Sequence, residues 1–126
     1  MRAVDTNLLV RLITQDDERQ LGLTKTFIAK GAWVSQLVIA ETAWVLDTVY
    51  GLDARRIATA IDMLLDHEHL SIQDADVVAA ALQHFRARPS LGFSDCLILE
   101  VARKAGHLPL GTFDRQMSKL SGTERL

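Results

Sequence analysis

Short apolar runs, each followed by a longer stretch of helical spacing, recur from one end of this chain to the other. Ala3-Val4 predicts a strand that ends at Asp5, and Thr6 to Ile13 a helix. Asp16 to Lys30 has helical spacing, with Leu21, Leu23, Phe27 and Ile28 as its apolar stripe, and Gly31 marks its end. Trp33-Val34-Ser35 predicts a second strand and Leu37 to Tyr50 a helix that Gly51 stops. Asp53 is placed to cap a helix over Ala54 to Leu65. His69-Leu70-Ser71-Ile72 predicts a third strand, and Pro89 ends the helix that follows from about Ala75 to Arg86. A helix from Ser94 to Ala105 that ends at Gly106, a fourth strand over Leu108 to Thr112 and a short helix over Arg115 to Leu120 come next. The closing residues have the pattern of a fifth strand stub. Strands alternating with helices imply an α/β chain with a parallel sheet covered on both faces.

At 126 residues the chain has the length of one domain, and no linker, repeat or low-complexity segment divides residues 1–126. Its net charge of −2 is not that of a non-specific nucleic-acid binder, so such a function would need a local patch or a metal. Cys96 is the only cysteine, which excludes an internal disulfide and suits a small buried hydrophobe. Asp5 interrupts the apolar core that a signal peptide needs, and no apolar run approaches the ~20 residues of a membrane span. These features lead us to expect a cytoplasmic protein with no membrane partner.

In an open parallel sheet, ligands bind beyond the carboxyl ends of the strands. Asp5 follows the first expected strand and Asp114 the fourth, although Asp is also a favoured cap at such turns. Glu41 lies in Leu37-Val38-Ile39-Ala40-Glu41-Thr42-Ala43-Trp44, a helix apolar on nearly every face. That pattern predicts burial, where an ionised carboxylate is costly unless something positive meets it. Asp95 opens another apolar helix. No Lys or Arg is immediately adjacent to Asp5, Glu41 or Asp95. Carboxylates near the starts of helices, without a cationic partner, suit a hard cation such as Mg²⁺ or Mn²⁺. Weaker candidates have structural readings: His67, Glu68 and His69 as a solvated strand start, His84 and His107 as isolated surface or packing groups. Trp33 and Trp44 read as core residues, and Asp74 and Asp76 as helix caps. No glycine-rich phosphate loop and no nucleophilic Ser with a His partner is present.

Four segments together carry a resemblance: Val4-Asp5-Thr6-Asn7, Glu41-Thr42 before Trp44-Val45-Leu46, Phe93-Ser94-Asp95-Cys96-Leu97-Ile98, and Thr112-Phe113-Asp114-Arg115. In order and spacing they resemble the acidic motifs of PIN-domain nucleases, most closely the VapC-type toxins of toxin–antitoxin pairs. The resemblance covers essentially the whole chain, including Ala79-Ala80-Ala81 and Ala102 to Gly106. It implies a three-layer α/β/α sandwich around a mostly parallel sheet of four to five strands. It also implies Mg²⁺-dependent cleavage of RNA, leaving a 5′-phosphate and a 3′-hydroxyl, with Mn²⁺ as a possible substitute. Asp5, Glu41, Asp95 and Asp114 align with the family's catalytic, metal-binding acids. Thr6, Asn7, Ser94 and Thr112 stand beside them as supporting groups; Ser94 replaces an Ala or Tyr common in relatives. The family further implies a homodimer and a cognate antitoxin that covers the acidic pocket.

Residues 85–126 carry seven Lys and Arg against four Asp and Glu, so Arg86, Arg88, Arg115 and Lys119 are the expected phosphate contacts. The leading expectation is therefore an endoribonuclease toxin. A non-catalytic module that binds an antitoxin or RNA on the same scaffold, and a DNA-cleaving relative, stand as alternatives. A Mg²⁺-dependent phosphatase or receiver domain ranks last, because Asp5-Thr6-Asn7 supplies only the first acid of the required set.

Overall fold

A computed structural model describes residues 1–126 as two compact units, Met1–Ala75 and Asp76–Leu126. The first contains β1 (Arg2–Ala3), α1 (Thr6–Thr14), α2 (Glu18–Ile28), β2 (Ala32–Val34), α3 (Gln36–Thr48), α4 (Ala54–Asp66) and β3 (Leu70–Ile72). Its strands form a parallel sheet in the order β1-β2-β3, with Arg2 opposite Ala32 and Ala32 opposite Leu70. Helices start where side-chain oxygens accept orphan N–H groups: Asp17 from Gln20, Ser35 from Val38 and Asp53 from Arg56. Asp16, the expected start of α2, instead accepts from Arg11, Thr14 and Tyr50, which leaves the capping role to its neighbour. Gly31 closes the turn after α2 at φ 93°, a conformation that side-chain-bearing residues rarely adopt.

Apolar periodicity then decides packing. In α4, Ile57, Ala58, Ala60, Ile61 and Leu64 form one buried stripe. In α3, Ile39, Thr42, Ala43 and Leu46 face inward, while Leu37 (75% exposed), Glu41 and Trp44 (61% exposed) lie on the other side. The expected all-round burial of α3 is therefore corrected. One helix face satisfies the core, and Glu41 sits in solvent. Trp33 and Trp44 are likewise surface residues rather than core; Trp33 takes the outward position of the alternating strand β2.

The second unit runs from α5 (Ala75–Ala87), which starts at the boundary, through α6 (Phe93–Ala105), β4 (Leu110–Thr112) and a 3₁₀ turn at Met117–Lys119 to β5 (Thr123–Arg125). β4 and β5 pair in parallel, Leu110 opposite Thr123. The five strands thus exist, but as a sheet of three and a sheet of two rather than one. Strands of two or three residues offer few ladder positions, and β4 spends those of one edge on β5. Phe85 and Phe93 meet edge to face at 6.0 Å between centroids, joining α5 to α6. Cys96 is fully buried with a free thiol, as expected. The whole is an α/β fold of helices and parallel strands.

Candidate functional site

The Val4 N–H donates to Trp33 O at 3.0 Å, extending the β1–β2 ladder to the position just before Asp5. Asp5 then serves as the N-cap of α1, its Oδ1 accepting the Thr6 N–H at 2.6 Å. On the adjacent strand, the Gln73 N–H donates to Val34 O at 2.8 Å, and Gln73 Oε1 accepts the Gln36 N–H at 3.0 Å. These bonds tie the first residue of α3 to the chain leaving β3. Glu41 follows in the second turn of α3, exposed. Asp5 and Glu41 therefore both belong to helices that leave the carboxyl ends of neighbouring parallel strands.

In the second unit, Asp95 is the third residue of α6 and half-buried. Asp114 follows β4 and organises the next turn: its Oδ1 accepts N–H groups from Gln116 at 2.7 Å and Met117 at 3.2 Å. Thr112 Oγ1 accepts the Asp114 N–H at 3.0 Å, so the Thr112 hydroxyl fixes the backbone of the acid it precedes.

A match to the PIN domain family extends over residues 2–122, through all four acidic segments. The chain belongs to the PIN domain family. Neither a curated protein nor a solved structure gives a match to the sequence. PIN domains form a nuclease-type superfamily; they are generally hydrolases of nucleic acid and typically use divalent metals. No helix of this PIN domain is long and apolar enough to cross a membrane.

The donor chemistry fits such an ion. Three acids elsewhere in this PIN domain are met by basic side chains: Asp16 by Arg11 at 3.0 Å, Asp76 by Lys104 at 3.0 Å, Glu100 by His84 at 2.7 Å and Arg103 at 3.0 Å. The Thr14 hydroxyl, then Tyr50 and Arg11, hold the Asp16 carboxyl below its ordinary range; Lys104 does the same for Asp76. Asp5, Glu41, Asp95 and Asp114 meet no Lys, Arg or His within 4.0 Å. Next to Asp5, the hydroxyl of Thr6 is the one buried side-chain polar atom without a hydrogen-bond partner. No three His, Cys, Asp or Glu side chains gather as a ready-made metal cluster. Mg²⁺ does not require such a cluster. It keeps several waters and is commonly held through one or two carboxylates plus substrate phosphates.

Of the expected phosphate contacts, Arg115 and Lys119 are exposed and Arg88 half-buried; Arg86 is exposed but already engaged with another group. Asn7 and Ser94 are exposed beside their acids. His84 is not isolated, because it bonds to Glu100, which is 6% exposed and passed unnoticed in the sequence. Counting from Phe93 and Cys96, positions seven and four earlier on the buried stripe of α6, would have found it.

Proposed function

We propose that this PIN domain is a cytoplasmic Mg²⁺-dependent endoribonuclease of the VapC toxin type, with Asp5, Glu41, Asp95 and Asp114 carrying the reaction. One observation supports it above the rest. These four acids stand in the motifs of a PIN family match that runs over residues 2–122, and none of them meets a Lys, Arg or His within 4.0 Å. Asp5 and Asp114 each commit Oδ1 to backbone N–H groups, which orients the carboxylate and leaves Oδ2 as a donor. Glu41 and Asp95 keep both oxygens for ligands or waters, the Thr112 hydroxyl holds the Asp114 backbone, and the Thr6 hydroxyl next to Asp5 is left without a partner. A bound Mg²⁺ would supply an activated water and offset charge developing at the phosphate. Cleavage by that route leaves a 5′-phosphate and a 3′-hydroxyl. Arg88, Arg115 and Lys119 stand as phosphate contacts, with Arg86 also on the basic stretch. An antitoxin is the proposed protein partner and a homodimer the proposed assembly; Leu37 and Trp44 on α3 are apolar surface available to such contacts.

Incubation of the purified chain with single-stranded RNA, with Mg²⁺ or with EDTA, tests the proposal. Cleavage should require the metal, leave 5′-phosphates, and fall by orders of magnitude in Glu41→Gln and Asp95→Asn, whose melting temperatures should match wild type. An inactive wild-type chain, or variants that cut as it does, would overturn it.

A further inference from the structure

β1, α1 and α2 enclose an open groove of about 530 Å³ that has Asp5 on its rim. One wall is apolar: Leu8 from α1, with Leu23 and Phe27 one turn apart on α2. The Asn7 amide adds a group that both donates and accepts, while the Gln20 amide, whose Oε1 already accepts from Arg11 Nε at 2.6 Å, keeps its NH₂ as a donor. Leu23 is 59% exposed, a large apolar side chain left in water at the groove. Arg11, which also lines it, is already held by Asp16 at 3.0 Å and Tyr50 at 2.9 Å. Arg2 is different. Its guanidinium lies 3.8 Å from the Phe27 ring centroid and donates to Phe27 O at 3.1 Å, with no carboxylate partner. Arg2 does not itself line the groove, but its unpaired cation rests on the ring of Phe27, which lines it together with the candidate catalytic acid Asp5.

We propose that this groove takes one unpaired base of the RNA strand being cut, with Arg2 contacting a phosphate next to that base. The inference rests on the nuclease reading and deepens it, since it assigns the substrate's conformation at the Asp5 end. A base has an apolar face that suits Leu8, Leu23 and Phe27, and a polar edge that suits two amides. The attached phosphate supplies the charge that Arg2 lacks. The volume lies within the range of small-ligand pockets. An apolar protein segment would match the wall but leave Arg2 without a counter-charge. A paired base would keep its face within the stack, so the strand must be single in this region.

Binding separates the two readings, because it can be measured without cleavage. Fluorescence anisotropy of a labelled single-stranded RNA, in Mg²⁺ and on an Asp95→Asn background, gives the affinity. Leu23→Asp and Arg2→Ala, both at exposed positions, should each weaken binding about tenfold. Arg2→Ala should also lower the salt dependence by roughly one ion. With abasic positions throughout the strand, Leu23→Asp should cause no further loss. Circular dichroism melting confirms that each variant is folded. Unchanged affinity in both variants, absence of RNA binding by the parent, or an equal effect of Leu23→Asp on intact and abasic strands overturns the proposal. Loss of a protein partner with RNA affinity intact overturns it in favour of protein docking. Groove-dependent RNA binding by a wild-type chain that never cuts would sink the nuclease reading and leave the groove assignment standing.

Discussion

Removing the Glu100 carboxylate should cost more stability than removing any of the four candidate site acids. Glu100 is 6% exposed and accepts from His84 Nε2 at 2.7 Å and Arg103 Nε at 3.0 Å. Arg103 in turn donates to Ser121 O at 2.7 Å, so the cluster joins α5, α6 and the turn before β5. Breaking a fully buried ion pair costs about 3–5 kcal/mol, because the remaining charge stays desolvated. Here the partner side chains are 29% and 38% exposed and can rehydrate, which reduces the expectation for Glu100→Ala to about 2–3 kcal/mol. Glu100→Gln keeps volume and an acceptor but loses charge, so about 1 kcal/mol is expected. Urea unfolding at neutral pH measures both, and a cycle with His84→Ala should give a coupling of about 1 kcal/mol. A Glu100→Ala change under about 0.5 kcal/mol, or a Gln variant as costly as the Ala variant, would refute the desolvation argument.

At Asp5, Asn retains the oxygen that accepts the Thr6 N–H, so Asp5→Asn should melt like wild type without metal and lose cleavage and Mg²⁺ stabilisation. Asp5→Ala should lose about 1 kcal/mol as well, through the missing cap; a destabilised Asn variant would reduce Asp5 to a structural residue. Burial, with Asp95 nearby, pushes the Cys96 thiol from 9.0 up to about 11, so iodoacetamide at about pH 8 should label it only in the unfolded chain. Rapid labelling of the native protein by mass spectrometry would contradict that. The Asp76 carboxyl is held below its ordinary range by Lys104, so its contribution is present above that range and disappears as acid protonates it. Stability should fall less steeply from about pH 5 to about pH 3 in Asp76→Asn than in wild type, and parallel acid curves would exclude the contribution.

Local chemistry made much of the fold readable. The caps at Asp5 and Asp53, the breaks at Gly31 and Gly106, and even the fifth strand depend on neighbours in sequence. The errors arose where a distant partner decides. Asp16 turns from the α2 start toward Tyr50, a residue brought to it only by tertiary packing. Pairing of β4 with β5, apart from the first sheet, is a hydrogen-bonding choice that periodicity cannot express. Glu41 and Glu100 are the instructive pair, since both interrupt apolar helical runs. Glu41 falls between the inward positions Ile39 and Thr42, whereas Glu100 lies on the stripe of Phe93, Cys96 and Leu97. Local hydropathy treats them alike, but their angular phase does not. The four acidic motifs were legible as a set. The groove beside Asp5 was not, because it needs α1 and α2 to be docked.

The parallel pairing of the first sheet also sets an order of events during folding. Arg2 cannot meet Ala32 until α1 and α2 have folded back between them, nor Ala32 meet Leu70 before α3 and α4 have done so. Both ladders close long loops and gain only a few hydrogen bonds, so strand registration is expected to follow helix packing. Asp5 caps α1 early, through its adjacent residue, yet reaches the carboxyl edge of the sheet only when β1 locks against β2. A chain emerging during synthesis would thus acquire its helices well before it acquires the sheet edge at which Asp5 stands. Helical signal in stopped-flow refolding should precede recovery of any metal-dependent activity, with the interval set by sheet closure.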